Sequence, residues 1–172
     1  MRPRVRGRIC LRWTKQKEMP LDSKLSQWFR NELKALHETL ASVPSDLAEV
    51  PWREGGWTRK EIVGHLLDSA ANNRQRFVRA AIDGQYAGPS YAQEGWVAAH
   101  GYAGQSWKTL LEWWDVEHDI LSAVVDRIPE ERLGALCSVG GAEPVTMQFL
   151  IEDYISHQHW HMRQITAPVA GR

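Results

Sequence analysis

Hydrophobic side chains recur at spacings of three and four residues in the first third of the chain. The segment "LDSKLSQWFRNELKALHETLASVP" carries them at Leu25, Trp28, Phe29, Leu33, Leu36 and Leu40. This period places the apolar side chains on one face of an α-helix. We predict Asp22 or Ser23 as the N-cap of this helix and an end near Pro44.

A second helix is predicted in "WTRKEIVGHLLDSAANNRQRFVRAAIDG". It opens on a capping box, Thr58 with Glu61 three residues later, and Gly84 is its expected stop. The following segment "QYAGPSYAQEGWVAAHGYAG" is rich in Gly, Tyr and Ala, with a short helical turn expected around Trp96. Connections of this length in compact domains often carry function.

A third helix is predicted in "SWKTLLEWWDVEHDILSAVVDRIP", with Ser106 as its cap. Its stripe consists of Leu110, Trp113 or Trp114, Glu117, Ile120, Leu121 and Val124. A small hairpin around Gly140 and Gly141 is expected next, and then a last helix from Thr146 to about Ile165. Four such helices with little strand predict an all-α four-helix bundle.

Composition narrows the class of protein. A chain of 172 residues suits a single core. No segment approaches the ~20 apolar residues of a membrane span. The two cysteines, Cys10 and Cys137, are far apart and have no metal-type spacing. We therefore expect a cytoplasmic protein without disulfides, and no membrane partner.

The net charge of zero hides an asymmetry. Residues 1–18 carry seven Lys or Arg and one Glu, which leaves fourteen basic and twenty acidic residues in 19–172. A basic arm can bind nucleic acid or membrane, but this one lacks the apolar core of a secretory signal. We expect a disordered extension before a single domain of residues 19–172, or a translation start at Met19. The acidic body argues against nucleic acid as a partner.

Three histidines stand within five positions in "YISHQHWHMRQI". A helix turns by about 100° per residue, so His157 and His161 share one face and His159 lies on the other side. The stripe of the pair is Met147, Leu150, Tyr154, His157, His161 and Gln164. Its first half is typical of a helix core, and its second half is polar. Buried imidazoles need partners, which water, a carboxylate or a metal can supply.

The second helix shows the same change from apolar to polar. Its stripe is Thr58, Ile62, His65, Ser69 and Asn72. If the two helices are neighbours, His65, His157 and His161 converge. Three neutral imidazoles with open positions form a catalytic-type divalent metal site. The alternative is a solvated or hydrogen-bonded polar patch without metal.

The remaining histidines lie on other segments. We expect His37 and His159 at the surface and His118 as a buried hydrogen-bonding side chain. His100 lies in the long connection, where it could reach a substrate.

Two motifs resemble those of the DinB/YfiT-like superfamily: "GWTRKEIVGHLLDSAANNRQRF", with its "GHL-D", and the closing "H-x-x-x-H-x-x-Q-I" of "YISHQHWHMRQI". The resemblance covers residues 22–166. It implies an up-down-down-up four-helix bundle, a frequent homodimer, and a divalent ion (zinc, nickel or manganese) held by His65, His157 and His161. One departure is Trp160, where relatives often carry a further histidine. We expect that side chain to point away from the metal site.

The resemblance also implies chemistry on a small-molecule substrate. Known relatives include transferases that depend on low-molecular-weight thiols such as bacillithiol or mycothiol, and some isomerases and hydrolases. A divalent ion favours a thiolate that attacks an electrophile, or activates water for hydrolysis. The main alternative is a non-catalytic metal-binding stress-response module that acts through dimerisation, which predicts no roomy pocket beside the metal. Nucleic-acid binding through the basic arm is a further alternative.

Several side chains are candidates for supporting roles. Gln164 is one turn beyond His161 and could orient water or a ligand. Asp68 either accepts the second ring N–H of His65 or is a solvated surface carboxylate. Ser69 and Asn72 either line the cavity or hydrogen-bond between helices. Aromatic candidates are Trp57, Trp96, Trp107 and Trp113 as pocket wall or core, and Tyr91 and Tyr102 as lid residues.

Overall fold

A computed structural model of the protein describes residues 24–168. Five helices run through this range: α1 Lys24–Ala41, α2 Arg59–Asp83, α3 Gln93–His100, α4 Trp107–Val125 and α5 Met147–Ile165. The three strands are β1 Gln85–Gly88, β2 Leu136–Val139 and β3 Val145–Thr146. The four long helices form the predicted four-helix bundle. The basic segment 1–18 and the proposed caps Asp22 and Ser23 lie outside the described residues.

Local capping signals set the helix ends. The Thr58 side chain accepts from the backbone N–H of Glu61, and the Glu61 carboxylate accepts from the backbone N–H of Thr58 at 2.8 Å. Gly84 ends α2 in the left-handed conformation, with φ of 77°. Ser106 caps α4 and Thr146 caps α5, each through its side-chain oxygen. These predicted ends are confirmed.

Paired side chains fix the direction of α1 against its neighbours. The pairs are Arg30 with Asp126 and His37 with Asp115 between α1 and α4, and Phe29 with Tyr154 and Glu32 with His159 between α1 and α5. Residue numbers fall along α4 as they rise along α1, so α4 is antiparallel to α1. They rise together along α5, which is therefore parallel to α1.

Helix α2 has the same direction as α4 and the opposite direction to α5. The pairs Ser69 with His157 and Phe77 with Tyr154 show that α2 is antiparallel to α5. Because α5 is parallel to α1 and α4 is antiparallel to α1, α2 runs in the same direction as α4, which it contacts through Arg74 and Glu117. The four long helices therefore run up, down, down and up, as expected.

A hydrogen bond crosses the centre of the bundle. Helices α1 and α2 each pack against both α4 and α5, so α4 and α5 stand diagonally opposite. The His118 Nδ1–H donates to the Trp114 carbonyl at 2.7 Å, and the Tyr154 hydroxyl donates to His118 Nε2 at 2.6 Å. His118 is thus the buried hydrogen-bonding residue that was predicted. Complete burial lowers its pKa to about 3.

The burial of each side chain shows which of the predicted stripe residues of α4 face the core. Trp114 faces the core at 2% exposure, whereas Trp113 is 42% exposed. Ile120 was assigned to the stripe, but it is exposed and the core position belongs to Leu121. At the end of α4, Val125 is buried and the predicted Val124 is half-buried.

The small sheet extends the predicted hairpin by one strand. β2 and β3 are antiparallel, and Gly140 and Gly141 adopt φ of 64° and 79° at the turn, which favours glycine. β1 pairs in parallel with β2, from Gln85 with Leu136 to Gly88 with Val139. This strand was not predicted, because four residues that follow a helix directly offer too short a pattern. Within residues 24–168, no helix is both long enough and apolar enough to cross a bilayer.

A buried arginine joins the start of α2 to the end of α5. Arg59 is fully buried, and its guanidinium donates to the carbonyls of Ile165 at 2.7 Å, Ala167 at 2.6 Å and Val50 at 2.9 Å. A cation at the C-terminal end of a helix also complements the helix dipole. Arg59 therefore fixes how α2 and α5 lie against each other at one end of the bundle.

We expect Arg59→Met to lower the free energy of unfolding by about 3 kcal/mol, because several charged hydrogen bonds are lost and carbonyl groups remain unpaired. Urea denaturation measures the change. The matched control is Arg163→Met, an exposed arginine at the same end of α5, for which the loss should stay below about 1 kcal/mol. Equal effects of the two substitutions would contradict this role of Arg59.

We also expect His118→Gln to reduce the acid sensitivity of the metal-free protein. The folded pKa of His118, about 3, lies below its unfolded value of about 6.5. Unfolding therefore takes up a proton between these values, and stability falls as pH is lowered through that window. The slope of unfolding free energy against pH between 6.5 and 4 should decrease by about 1.4 kcal/mol per pH unit. An unchanged slope would show that His118 is not buried as a neutral ring.

Candidate metal centre

The three predicted histidines converge between α2 and α5. One ring nitrogen each from His65, His157 and His161 lies within 4.8 Å of the other two. His65 and His161 are buried and His157 is half-buried. The His65 and His157 Nε2 atoms face each other at 3.2 Å. The antiparallel packing of α2 and α5 brings a residue of one helix beside an i, i+4 pair of the other.

The spacing fits ligands of one divalent ion. Metal–nitrogen bonds of about 2.0–2.1 Å at angles between 90° and tetrahedral place ligand nitrogens about 2.8–3.4 Å apart. The distance of 3.2 Å between the His65 and His157 nitrogens falls in this interval. The ring centroids of the three histidines are 4.6 to 5.1 Å apart, so the His161 ring is equally close.

Burial keeps the three imidazoles neutral. Desolvation, followed by the neighbouring histidines, lowers the pKa of His65 to about 3. Desolvation and then His157 lower the pKa of His161 to about 4. Desolvation also lowers the pKa of His157, which Asp153 partly opposes. Neutral imidazole is the form that binds a metal ion.

Gln164 orients one of the three rings. The His161 Nδ1–H donates to the Gln164 side-chain oxygen at 2.8 Å, so His161 Nε2 carries the free lone pair. Such contacts fix the tautomer of a ligating histidine. Gln164 was expected to orient water or a ligand, whereas its side chain orients His161. His157 Nδ1 has a weaker contact, 3.5 Å from the Ser69 hydroxyl.

Asp68 neither accepts a hydrogen bond from His65 nor lies in solvent, which were the two expected roles. It is 2% exposed, and its Oδ1 accepts from the Tyr102 hydroxyl at 2.7 Å and lies 3.1 Å from His100 Nδ1. The expected hydrogen bond to His65 is not formed, and His65 Nδ1 has no partner among the described residues. Asp68 therefore holds the connection between β1 and α4 against α2 through Tyr102. The partly exposed His100 side chain, in the same connection, contacts the same carboxylate from the solvent side.

The glycine of the "GHL-D" motif explains this contact. A Cβ atom at Gly64 would lie 2.0 Å from the Tyr102 ring, so only glycine allows the ring to lie on α2. Tyr102 is almost fully buried, which contradicts the expected lid role. The signal that could have identified it was the glycine directly before His65.

Aromatic side chains enclose the His65 ring. Trp57 lies 5.2 Å from it between ring centroids and Tyr91 lies 6.4 Å away. Trp96 packs on Tyr91 and His100 rather than on the three clustered histidines. Trp107 belongs to the core, and Trp113 is at the surface. Of the four tryptophans considered, only Trp57 borders the cluster.

Trp160 does not point away from the cluster, contrary to expectation. Its ring centroid lies 4.5 Å from that of His161. Neighbouring positions on a helix differ by about 100°, which still allows a large side chain to fold over the next residue. Trp160 thus lies over the outer side of the histidine cluster.

Two cavities meet at the cluster. The polar cavity, of about 240 Å³, is lined by Ser69, Asn73, Arg76, Tyr91, Asp153 and His157, among others. The tryptophan cavity, of about 520 Å³, is lined by Trp52, Trp57, Trp160, His157, His161 and Gln164, among others. His157 and Gln93 border both. Ser69 lines the polar cavity, which is one of the two roles expected for it. Asn72 instead donates to the Asp68 carbonyl within α2, and Asn73 lines the cavity in its place.

The other histidines lie outside the cluster. His37 is exposed beside Asp115, and His159 is half-buried and hydrogen-bonded to Glu32 at 2.7 Å. His100, at the end of α3, lies beside Asp68 and borders neither cavity.

Solved structures with the same fold support the architecture. YfiT from Bacillus subtilis, described as a probable metal-dependent hydrolase with an unusual four-helix bundle topology, matches with a TM-score of 0.73 and 20% identity over 89% of this chain and 90% of its own. The mycothiol-dependent maleylpyruvate isomerase matches with a TM-score of 0.69 and 16% identity over 87% of this chain and 62% of its own. A search of curated proteins found no significant match.

The sequence itself also matches a family model. The model of the DinB superfamily covers residues 28–165, which include all four long helices, apart from the first turn of α1, and all three histidines of the cluster. The chain belongs to the DinB superfamily.

Proposed function

We propose that His65, His157 and His161 bind one divalent metal ion (zinc, nickel or manganese), and that the protein is a metal-dependent enzyme acting on a small molecule. The reaction we favour is thiol S-transfer, in which a low-molecular-weight thiol is the co-substrate and attacks an electrophile. Metal-dependent hydrolysis is the second candidate. The observation that carries the proposal is the convergence of three neutral imidazoles where two cavities meet.

When bound, the ion supplies a full double positive charge that favours the ionised form of a thiol or of water at neutral pH. The residues of the chain prepare the site for this chemistry. Gln164 holds the His161 ring with Nε2 free. Trp57 lies beside the His65 ring and Trp160 lies beside the His161 ring, and each limits the access of water on its side. A dry surrounding strengthens each charge interaction in the site.

The pair of cavities favours a reaction of two molecules. The tryptophan cavity is within the size range of small-molecule sites, about 300–1,000 Å³. The polar cavity is smaller and reaches His157 from the other side. A transferase needs a place for the thiol and another for the electrophile, whereas hydrolysis needs only one organic ligand. A non-catalytic metal module would not need either space.

The similar structures support both candidates. The dependence of the isomerase on mycothiol agrees with a thiol co-substrate. The description of YfiT as a probable metal-dependent hydrolase agrees with hydrolysis. We also infer a cytoplasmic location, because a buried free cysteine such as Cys137 suits a reducing compartment.

We expect untagged protein to contain about one divalent ion per chain, and His65→Ala to lose most of it, since a catalytic-type site needs all three protein ligands. Elemental analysis measures the metal. His37→Ala, at the exposed histidine of α1, is the control and should keep its ion. If neither wild type nor a sample dialysed against zinc, nickel or manganese held metal, the histidines would be a hydrogen-bonded patch.

The two reactions are distinguished with the same proteins. Loss of free thiol in the presence of a chromogenic electrophile, in wild type but not in His65→Ala, would support S-transfer. Cleavage of an ester or amide without added thiol would support hydrolysis instead. Metal without either activity would support the non-catalytic module.

We propose a homodimer that forms through the outer face of α2 and α4. This face carries exposed apolar side chains at Val78, Ile82, Trp113, Val116 and Ile120. Their spacings of four on α2, and of three and four on α4, align them on the side away from the core. The Arg74–Glu117 pair at 2.8 Å joins the two helices beside them. An exposed apolar face of this kind marks an association site.

Sedimentation at micromolar concentration should show a dimer for wild type and a monomer for Ile120→Glu, because a charge would be buried without a partner. Phe149→Glu, at an exposed apolar position on α5, is the matched control and should remain dimeric. A monomeric wild type, or dissociation of both variants alike, would refute the α2–α4 interface.

A further inference from the structure

Arg76 is a buried cation in the wall of the polar cavity. It is 8% exposed, and its one hydrogen bond among the described residues runs from Nη1 to the Asn73 side-chain oxygen at 3.1 Å. No carboxylate of residues 24–168 lies within ion-pair distance of it. A buried charge without a counter-charge is costly, and a guanidinium has five N–H donors. Most donors of Arg76 are therefore available to a ligand.

Other arginines of the bundle differ in this respect. Arg59 is also buried, but three backbone carbonyls accept from it. Arg74 pairs with Glu117, and Arg30 pairs with Asp126. Arg76 combines burial, a cavity and a lack of anionic partners, which points to a ligand rather than to a structural ion pair.

The rest of the polar cavity suits a small anion. Ser69, Asn73, Ser90 and Gln93 supply neutral hydrogen-bonding groups. Burial raises the pKa of Tyr91 to about 12, so its hydroxyl stays neutral and can donate. Burial keeps His157 neutral as well. The one acidic side chain that lines the cavity is Asp153, which is exposed on α5.

Arg76 lies on the same face of α2 as the metal-site histidine. The positions His65, Ser69, Asn73 and Arg76 follow one another at spacings of four, four and three. At about 1.5 Å per residue, Asn73 is about 12 Å along α2 from His65. The Arg76 side chain reaches back to Asn73, and His157 borders the cavity near Ser69. A ligand that spans about 6–12 Å can touch both Arg76 and the histidine cluster.

We propose that the polar cavity is a carboxylate-binding subsite, in which the Arg76 guanidinium pairs with the carboxylate of a small molecule and directs its other end towards His65, His157 and His161. A planar guanidinium matches a carboxylate in a bidentate pair. Asp153 at the rim repels the negative charge of a ligand and so weakens its binding. The role in catalysis rests on the proposed function, whereas anion binding does not.

The test uses metal-free protein, so that the anion is measured apart from the metal. Succinate is titrated into ¹⁵N-labelled protein, and succinamide, of similar size without charge, is the control ligand. We expect succinate to shift the Arg76 Nε–Hε resonance with saturation, and succinamide not to. Arg76→Gln should weaken succinate binding by about 10-fold or more, since hydrogen bonds to a charge are lost. Arg79→Gln, an exposed arginine on the same helix, should bind as wild type does.

Asp153→Asn tests the same site through a change that should strengthen succinate binding rather than weaken it. Removal of this surface charge should tighten succinate binding by about 2- to 5-fold. If Arg76→Gln does not fold, Arg76→Lys takes its place, and it should weaken binding because the bidentate geometry is lost. Equal binding of succinate and succinamide, or unchanged affinity in the Arg76 variant, would overturn the proposal. So would unchanged or weaker succinate binding in Asp153→Asn.

The two proposals fail separately. Succinate binding at Arg76 in a protein that takes up no metal would refute the metalloenzyme and leave the carboxylate subsite standing. Stoichiometric metal in a protein that does not bind succinate would refute the carboxylate subsite and leave the metal site standing.

Discussion

The packing of α2 against α5 depends on the buried guanidinium of Arg59. It carries three hydrogen bonds to carbonyls, two of them at the end of α5, and it is the first residue of α2. Exposed ion pairs contribute less to such packing, because water screens them. His65 is six residues beyond Arg59 along α2. The register that Arg59 sets therefore places His65 beside the turn of α5 that carries His157 and His161. The geometry of the histidine cluster therefore depends on the Arg59 hydrogen bonds, which involve none of the three histidine rings.

Enclosure of the cluster has a different origin. The connection between α2 and α4 folds back over α2, where Tyr102 lies on Gly64 and Tyr91 lies beside His65. The same packing that stabilises this long connection also removes water from the imidazoles and lowers their pKa values. The stability of the connection and the neutral state of the histidines thus come from the same buried aromatic contacts.

Local patterns in the sequence predicted most of the bundle and the three histidines. Helix periods, the Thr58 capping box and the His157–His161 spacing each depend on residues within a few positions. The partners of Asp68 and the burial of Tyr102 depend on how distant segments meet, and the contact of Trp160 with His161 depends on a side-chain rotamer, so none of them could be predicted from local patterns. Strand β1 was missed since its hydrogen bonds go to β2, about fifty residues later. The sequence pattern did not single out Arg76, which only its burial and the cavity distinguish.

The Tyr102–Gly64 contact has a consequence for how related chains can diverge. The connection is attached to α2 at Tyr91 and again at Tyr102, while the span between them lies mostly at the surface. Insertions and deletions are tolerated where backbone is exposed. Changes of length should therefore accumulate between these two attachment points, around α3. The glycine and the tyrosine should be retained or replaced together, since a side chain at position 64 would expel the ring.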